Sequence, residues 1–205
     1  MSSAPGHLMR PSASSSPCLR TPSQTAGPFV SLGTEWLTDA GMVSESDPSA
    51  IIVFGSVVDG DERPVTDAML EFWQTGAAGA SLAGSPQSCS GLARALCGPD
   101  GGYRVVTVKP AALPGPAGQL QAPHIDVSIF ARGLLQRLVT RIYFSDEEAN
   151  EADPVLVGLE GPDLRNRLVA QRSNADDLGS AKGAPRYHFD VHLQGDRETV
   201  FFGPW

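Results

Sequence analysis

Long apolar runs are missing from this sequence. No window approaches 18 consecutive apolar residues, and the first twenty, MSSAPGHLMRPSASSSPCLR, lack the apolar core of a signal peptide. Neither a helical membrane span nor a secretion signal is therefore expected, and the chain is expected to be cytoplasmic with a disordered leader over residues 1–20. Basic charge is scarce too. Fifteen Lys and Arg stand against 23 Asp and Glu, for a net charge of −8, which argues against nucleic acid or an anionic membrane as partner. Cysteine is limited to Cys18, Cys89 and Cys97, an odd count without C-x-x-C spacing, so neither a disulfide framework nor a thiolate metal site is indicated. No G-x-S-x-G elbow, P-loop or G-x-G-x-x-G fingerprint occurs between a strand and a helix.

What is present points to β structure. Gly (22) and Pro (17) punctuate short apolar runs rich in Val, Ile and Phe, and a 205-residue chain is long enough to bury a sizeable core. The predicted organisation is a leader (1–20), an extended N-terminal arm and linker (21–50) and an antiparallel β-sandwich with long loops and one or two short helices (51–205). IIVFGSVV (51–58) and VTDAMLEFW (65–73) flank DGDERP and read as adjacent antiparallel strands of a hairpin. The Asp59, Asp61 and Glu62 cluster lacks EF-hand spacing and reads as that hairpin's turn. Residues 74–98 read as a long excursion with a short helical turn at LARAL. Strands are predicted at 103–109, 124–130, 138–144, 186–194 and 198–202. A helix is predicted over 161–172, with Leu164, Leu168 and Val169 on one face and Asp163 favouring its N-terminus.

The chemistry-bearing residues are few. His188 and His192 lie on one strand about 13 Å apart, too far to share an ion, and His7 lies in the leader. His124 and Asp126, two positions apart in QAPHIDVSIFARG, share one face of a strand and are able to approach one metal ion, but no third ligand is close in sequence. From the residues alone, the pair is either a metal site or the remains of one.

Several strings carry a resemblance: TPSQTAGPF, DGDERPVTDAMLEFWQ, APHIDVSIFARG with TRIYF, and YHFDVHLQGDRETVFF, in consistent order over about residues 21–202. Together they resemble the intradiol ring-cleavage dioxygenases, specifically the alpha-type chain of a two-chain member. The resemblance implies a β-sandwich, a homologous beta subunit that alone holds ferric iron through two tyrosines and two histidines, and cleavage of protocatechuate with dioxygen to 3-carboxy-cis,cis-muconate. Higher-order assembly of alpha-beta protomers is implied as well. It aligns the H-x-H ligand pair with His124 and Asp126, and the two tyrosine ligands with about Leu113 and with Ser81 or Leu82. Three of four ligands are therefore absent. Tyr103, Tyr143 and Tyr187 sit inside strands, so His124 and Asp126 are expected to be vestigial and this chain to carry no catalytic residue or metal of its own. It also implies that Thr25, Pro28 and Arg132 line the partner's substrate cleft, with Phe29 where such chains often have tyrosine. The alternatives are a stand-alone β-sandwich binding module and a self-sufficient dioxygenase holding ferrous iron on His124, Asp126 and a third ligand.

Overall fold

β-Branched residues make β1 (Ala50–Val58, AIIVFGSVV) the central strand. Ile51, Val53 and Val57 enter the main core, while Ala50 and Ile52 pack on the opposite face with Val106, under Val43, Phe54 and Ala184. A strand covered on both faces reads as a continuous apolar run instead of an alternating one. The computed structural model describes residues 22–27, 33, 41–75, 91–115, 118–173 and 183–203.

Two layers enclose the core. One is antiparallel and runs β3 (Leu92–Leu96), β2 (Met69–Trp73), β7 (Ile125–Phe130), β8 (Leu138–Phe144). The other runs β9 (Val169–Ser173), β10 (Arg186–His188), β1, β4 (Gly102–Val108), with β11 (Val191–His192) continuing along β1. Parallel pairing of β8 with β9 joins the layers along one edge. Inward-facing Leu70, Phe72, Ile125, Val127 and Ile142 of the first layer meet Val53, Val57, Tyr103, Val105 and Tyr187 of the second. A small ribbon, β5 (Leu113–Pro114) with β6 (Leu120–Gln121), and three single-turn helices complete the described chain. The helices are a 3-10 turn (Glu148–Ala152), α1 (Pro154–Gly158) and α2 (Pro162–Asn166).

The mainly-β sandwich is as expected, but it is mixed: β1 pairs in parallel with β10 and β11, and β8 with β9. The hairpin reading of 51–73 holds only at its turn. Asp59 N–H donates to Arg63 O (3.0 Å), Val65 N–H donates to Val57 O (2.9 Å), and the Asp59 carboxylate caps Asp61 and Arg63 amides (2.9 Å each). Beyond Pro64, which has no N–H to give, the chain crosses to the other layer, and β2 pairs with β3 and β7 instead of β1. LARAL is strand β3, not a helical turn, because its two alanines alternate inward against β2. The predicted helix over 161–172 ends at Asn166; Leu168 is buried, and Val169 begins β9. ETVFF forms no regular strand; it holds to β8 through Phe202 N–H to Val139 O (2.8 Å) and Thr140 Oγ1 to Val200 O (2.8 Å). The leader, Cys18 and Cys89 lie outside the described residues.

The predicted strand 186–194 is interrupted at Phe189 and Asp190, and Gly55 shows why. A Cβ built on Gly55 would lie 1.9 Å from Phe189 O. That carbonyl also accepts from the buried Tyr103 hydroxyl (2.5 Å), and Asp190 Oδ1 accepts from Ser56 N–H and Oγ (2.8 Å each). The backbone at Phe189 and Asp190 is thus held by two neighbouring sets of bonds and cannot retreat from an added methyl. Gly55→Ala is expected to destabilise the fold by about 2–3 kcal/mol, as an overpacked site does, and Tyr103→Phe by about 1 kcal/mol; urea midpoints at unchanged m-value check both.

Candidate functional site

Strand β7 carries chemistry at both ends. At its N-terminal end, His124 is buried, and its Nδ1 lies 2.7 Å from Ala122 O. A carbonyl only accepts, so Nδ1 carries the proton and Nε2 presents a lone pair. Burial lowers the His124 pKa, and the neighbouring Arg141 charge adds to the shift, so the ring is neutral at pH 7. Asp126, on the same strand face, brings Oδ1 to 4.0 Å from Nε2. The period of two places this pair as predicted from sequence.

The residues around the pair come from elsewhere. Asp126 lies opposite Arg141 of β8 in the antiparallel register, and Arg141 Nε donates to Asp126 Oδ1 at 2.9 Å. Arg141 Nη1 reaches Gln121 Oε1 (3.1 Å) and the Tyr143 hydroxyl (3.4 Å), and the guanidinium sits 5.9 Å from the centre of the Phe202 ring. Tyr143 is itself buried, its ring centre 5.5 Å from that of His124. Burial pushes its pKa well up, and its hydroxyl donates to Asp153 Oδ1 (3.1 Å), so it is a phenol and not a phenolate.

Asp153 has no exposed surface. It accepts from Ala122 N–H (2.8 Å), from Val155 N–H (2.8 Å) and Leu156 N–H (3.0 Å) at the start of α1, and from Tyr143. Asp-Pro is an N-cap followed by proline in the first turn, a signal that was readable from sequence. Arg141 and Tyr143 left no such local signal.

The residues do not fit the implied ferric site. Beside Asp126 there is only one imidazole; Leu113 of β5, near which the resemblance puts one tyrosine, offers no oxygen ligand on its side chain, and positions 81 and 82 lie outside the described residues. Tyr103 and Tyr187 are engaged elsewhere, with Phe189 O and with Asp146 Oδ2 (2.9 Å). Among the described residues no group of three or more His, Cys, Asp and Glu converges. His188 and His192 do line one shallow pocket of about 280 Å³, beside Arg167, Arg197 and Asp190, and two guanidiniums there oppose a metal cation.

At the C-terminal end of β7, Thr25 and Arg132 are brought together. Thr25 Oγ1 accepts from Gly133 N–H (2.7 Å) and reaches Ala131 O at 3.5 Å, so the arm is bonded to both neighbours of Arg132. Arg132 is exposed and its Nε donates to Asp67. Leu135 beside it is 63% exposed. Pro28 and Phe29 lie outside the described residues. Six residues of extended chain, about 20 Å at strand rise, separate Asp126 from Arg132, so the two ends cannot contact one small ligand.

Because the fully buried Asp153 accepts four hydrogen bonds from protein groups, Asp153→Asn, which turns one acceptor atom into a donor, is expected to cost roughly 2–4 kcal/mol. Denaturant unfolding measures that loss. The lowered pKa of His124 sets a sign for pH dependence: the unfolded imidazole takes up its proton first, so its contribution to stability is present above about pH 6.5 and is lost as the pH falls through the folded value. NMR titration of the imidazole checks this, and His124→Gln should flatten that part of the stability profile.

Comparison with known proteins agrees with this architecture. A family model described as Dioxygenase matches residues 27–195. The protocatechuate 3,4-dioxygenase alpha chain of Pseudomonas putida is 38% identical over 198 residues, covering 89% of this chain and 95% of that protein. The beta chain of the Burkholderia cepacia enzyme is 33% identical over 159 residues, covering 73% of this chain and 66% of that one. Among solved structures, catechol 1,2-dioxygenase from Acinetobacter sp. ADP1 superposes with a TM-score of 0.57 at 23% identity, over 80% of this chain and 60% of that one, a likeness of fold. The chain belongs to the intradiol ring-cleaving dioxygenase family, oxidoreductases, and resembles along nearly its whole length the alpha chains of a heteromeric member.

Proposed function

We propose that this chain is the non-iron-binding alpha subunit of a cytoplasmic protocatechuate 3,4-dioxygenase, completing the substrate cleft of an iron-bearing beta subunit. The observation that carries the reading is the bonding of the Thr25 arm to the loop holding Arg132, at the end of β7 remote from the His124 cluster. That edge has a polar anchor, a cation and an exposed leucine, and among the described residues no metal ligand set of its own. It suits a surface that closes over someone else's reacting centre.

Ferric iron in the beta subunit supplies Lewis-acid chemistry toward the catechol and dioxygen. This chain's part is to bind and orient. Protocatechuate is a carboxylate anion in addition to its two hydroxyls, and Arg132 supplies a permanent positive charge with planar, forked donors. Asp67 engages Nε and so fixes the plane of the guanidinium. Thr25 fixes the backbone on which that side chain stands. Pro28 would add a rigid wall to the same cleft.

Two outcomes test the proposal. Purified alone, the chain is expected to be colourless and inactive; co-expressed with its cognate beta chain, it should yield an iron-bearing complex that cleaves protocatechuate. Stoichiometric iron and turnover in the lone chain would overturn the reading, as would a beta chain fully active without it. Within the active complex, Arg132→Ala is expected to raise KM for protocatechuate roughly tenfold or more with a smaller change in kcat, and catechol, which lacks the carboxylate, should show little difference between the two proteins. Steady-state kinetics with both substrates reads this out.

A further inference from the structure

The His124 end of β7 is more than a metal site with its ligands lost. A guanidinium stands among the groups that would otherwise face an ion. Arg141 bonds the Asp126 carboxylate, the Gln121 side-chain oxygen and the Tyr143 hydroxyl with two of its nitrogens, and its charge acts on the neutral His124 ring beside it. The Arg141 side chain is 20% exposed, so this cation is only partly solvated.

We propose that Arg141 is the resident cation of this site: it takes the electrostatic and hydrogen-bonding place of a metal ion and excludes one. Three consequences follow from the geometry. The carboxylate nearest the His124 lone pair is already neutralised, so a divalent ion gains little attraction from it. An ion on Nε2 would stand beside a fixed positive charge, which repels it. The Tyr143 oxygen, the one phenol near the imidazole, has its proton committed to Asp153 and an Arg141 nitrogen on its other side. The inference concerns this chain's own residues and stands whichever chain completes the enzyme.

The test uses Co²⁺ as a probe on the full chain, read by visible d–d absorption and calorimetry. The wild type is expected to bind no Co²⁺ at this position. Arg141→Gln, which keeps a polar side chain and removes the charge, should take up a single equivalent through His124 and Asp126, and the added change His124→Ala should abolish that uptake. Arg141→Lys, which keeps the charge but not the fork, should exclude the ion as the wild type does. An Arg141→Gln variant with native circular dichroism and no Co²⁺ uptake sinks the proposal. Should that variant not fold, the wild type still decides: Co²⁺ that broadens the His124 imidazole resonances with Arg141 in place also overturns it.

Discussion

The His124 end of the sandwich is organised by one carboxylate that water does not reach. Asp153 ties the amide of Ala122, the first turn of α1 and the hydroxyl of Tyr143 to a single pair of oxygens. A buried carboxylate is tolerated only when its acceptor capacity is filled, and here every partner is a directed N–H or O–H. Through Ala122 it sets the backbone whose carbonyl selects the His124 tautomer. Through Tyr143 it fixes the direction of the phenol's proton, and hence what Arg141 meets. The site is thereby a polar network with each member's orientation determined by the next.

The opposite end of β7 follows a different logic. There the side chains are exposed, the bonds are between backbone and a threonine hydroxyl, and charge is presented to solvent. The same strand therefore has one end closed and internally neutralised, and one end open. That contrast is what the proposed role calls for: a closed end whose described residues bring together no group of three metal ligands, and an open end that presents charge outward.

Much of this was legible in the sequence, and the losses have identifiable causes. Pairs set by local period were read correctly: His124 and Asp126 share a face because strands repeat every two residues. Apolar β-branched runs gave β1, β4, β7 and β8. What failed depended on pairing between distant segments. The turn after β1 is a genuine turn, yet the segment after Pro64 belongs to the other layer, which no local signal records. LARAL has helix-favouring residues, but small side chains at alternate positions also suit a strand facing a crowded core, and β2 decided between them. The helix after Gly161 was cut to one turn because Leu168 is drawn into the satellite core with Tyr143 and Leu156. Arg141 was invisible for the same reason: its role comes from lying across the ladder from Asp126, and TRIYF by itself reads as an ordinary strand. Strand and turn patterning already read as a β-sandwich, the resemblance added the family, and cross-strand register supplied the chemistry.

The hydrogen bonds of Thr25 have a consequence for association. They hold the arm against the loop that carries Arg132 within this chain alone, before any other molecule is present. The conformational entropy of the segment around Thr25, residues 22–27, is thus lost on folding and not at the moment of complex formation. A surface ordered in advance docks as a rigid body, with orientation as the main restriction on its encounter rate, whereas an arm that had to fold onto its target would need a further ordering step after contact.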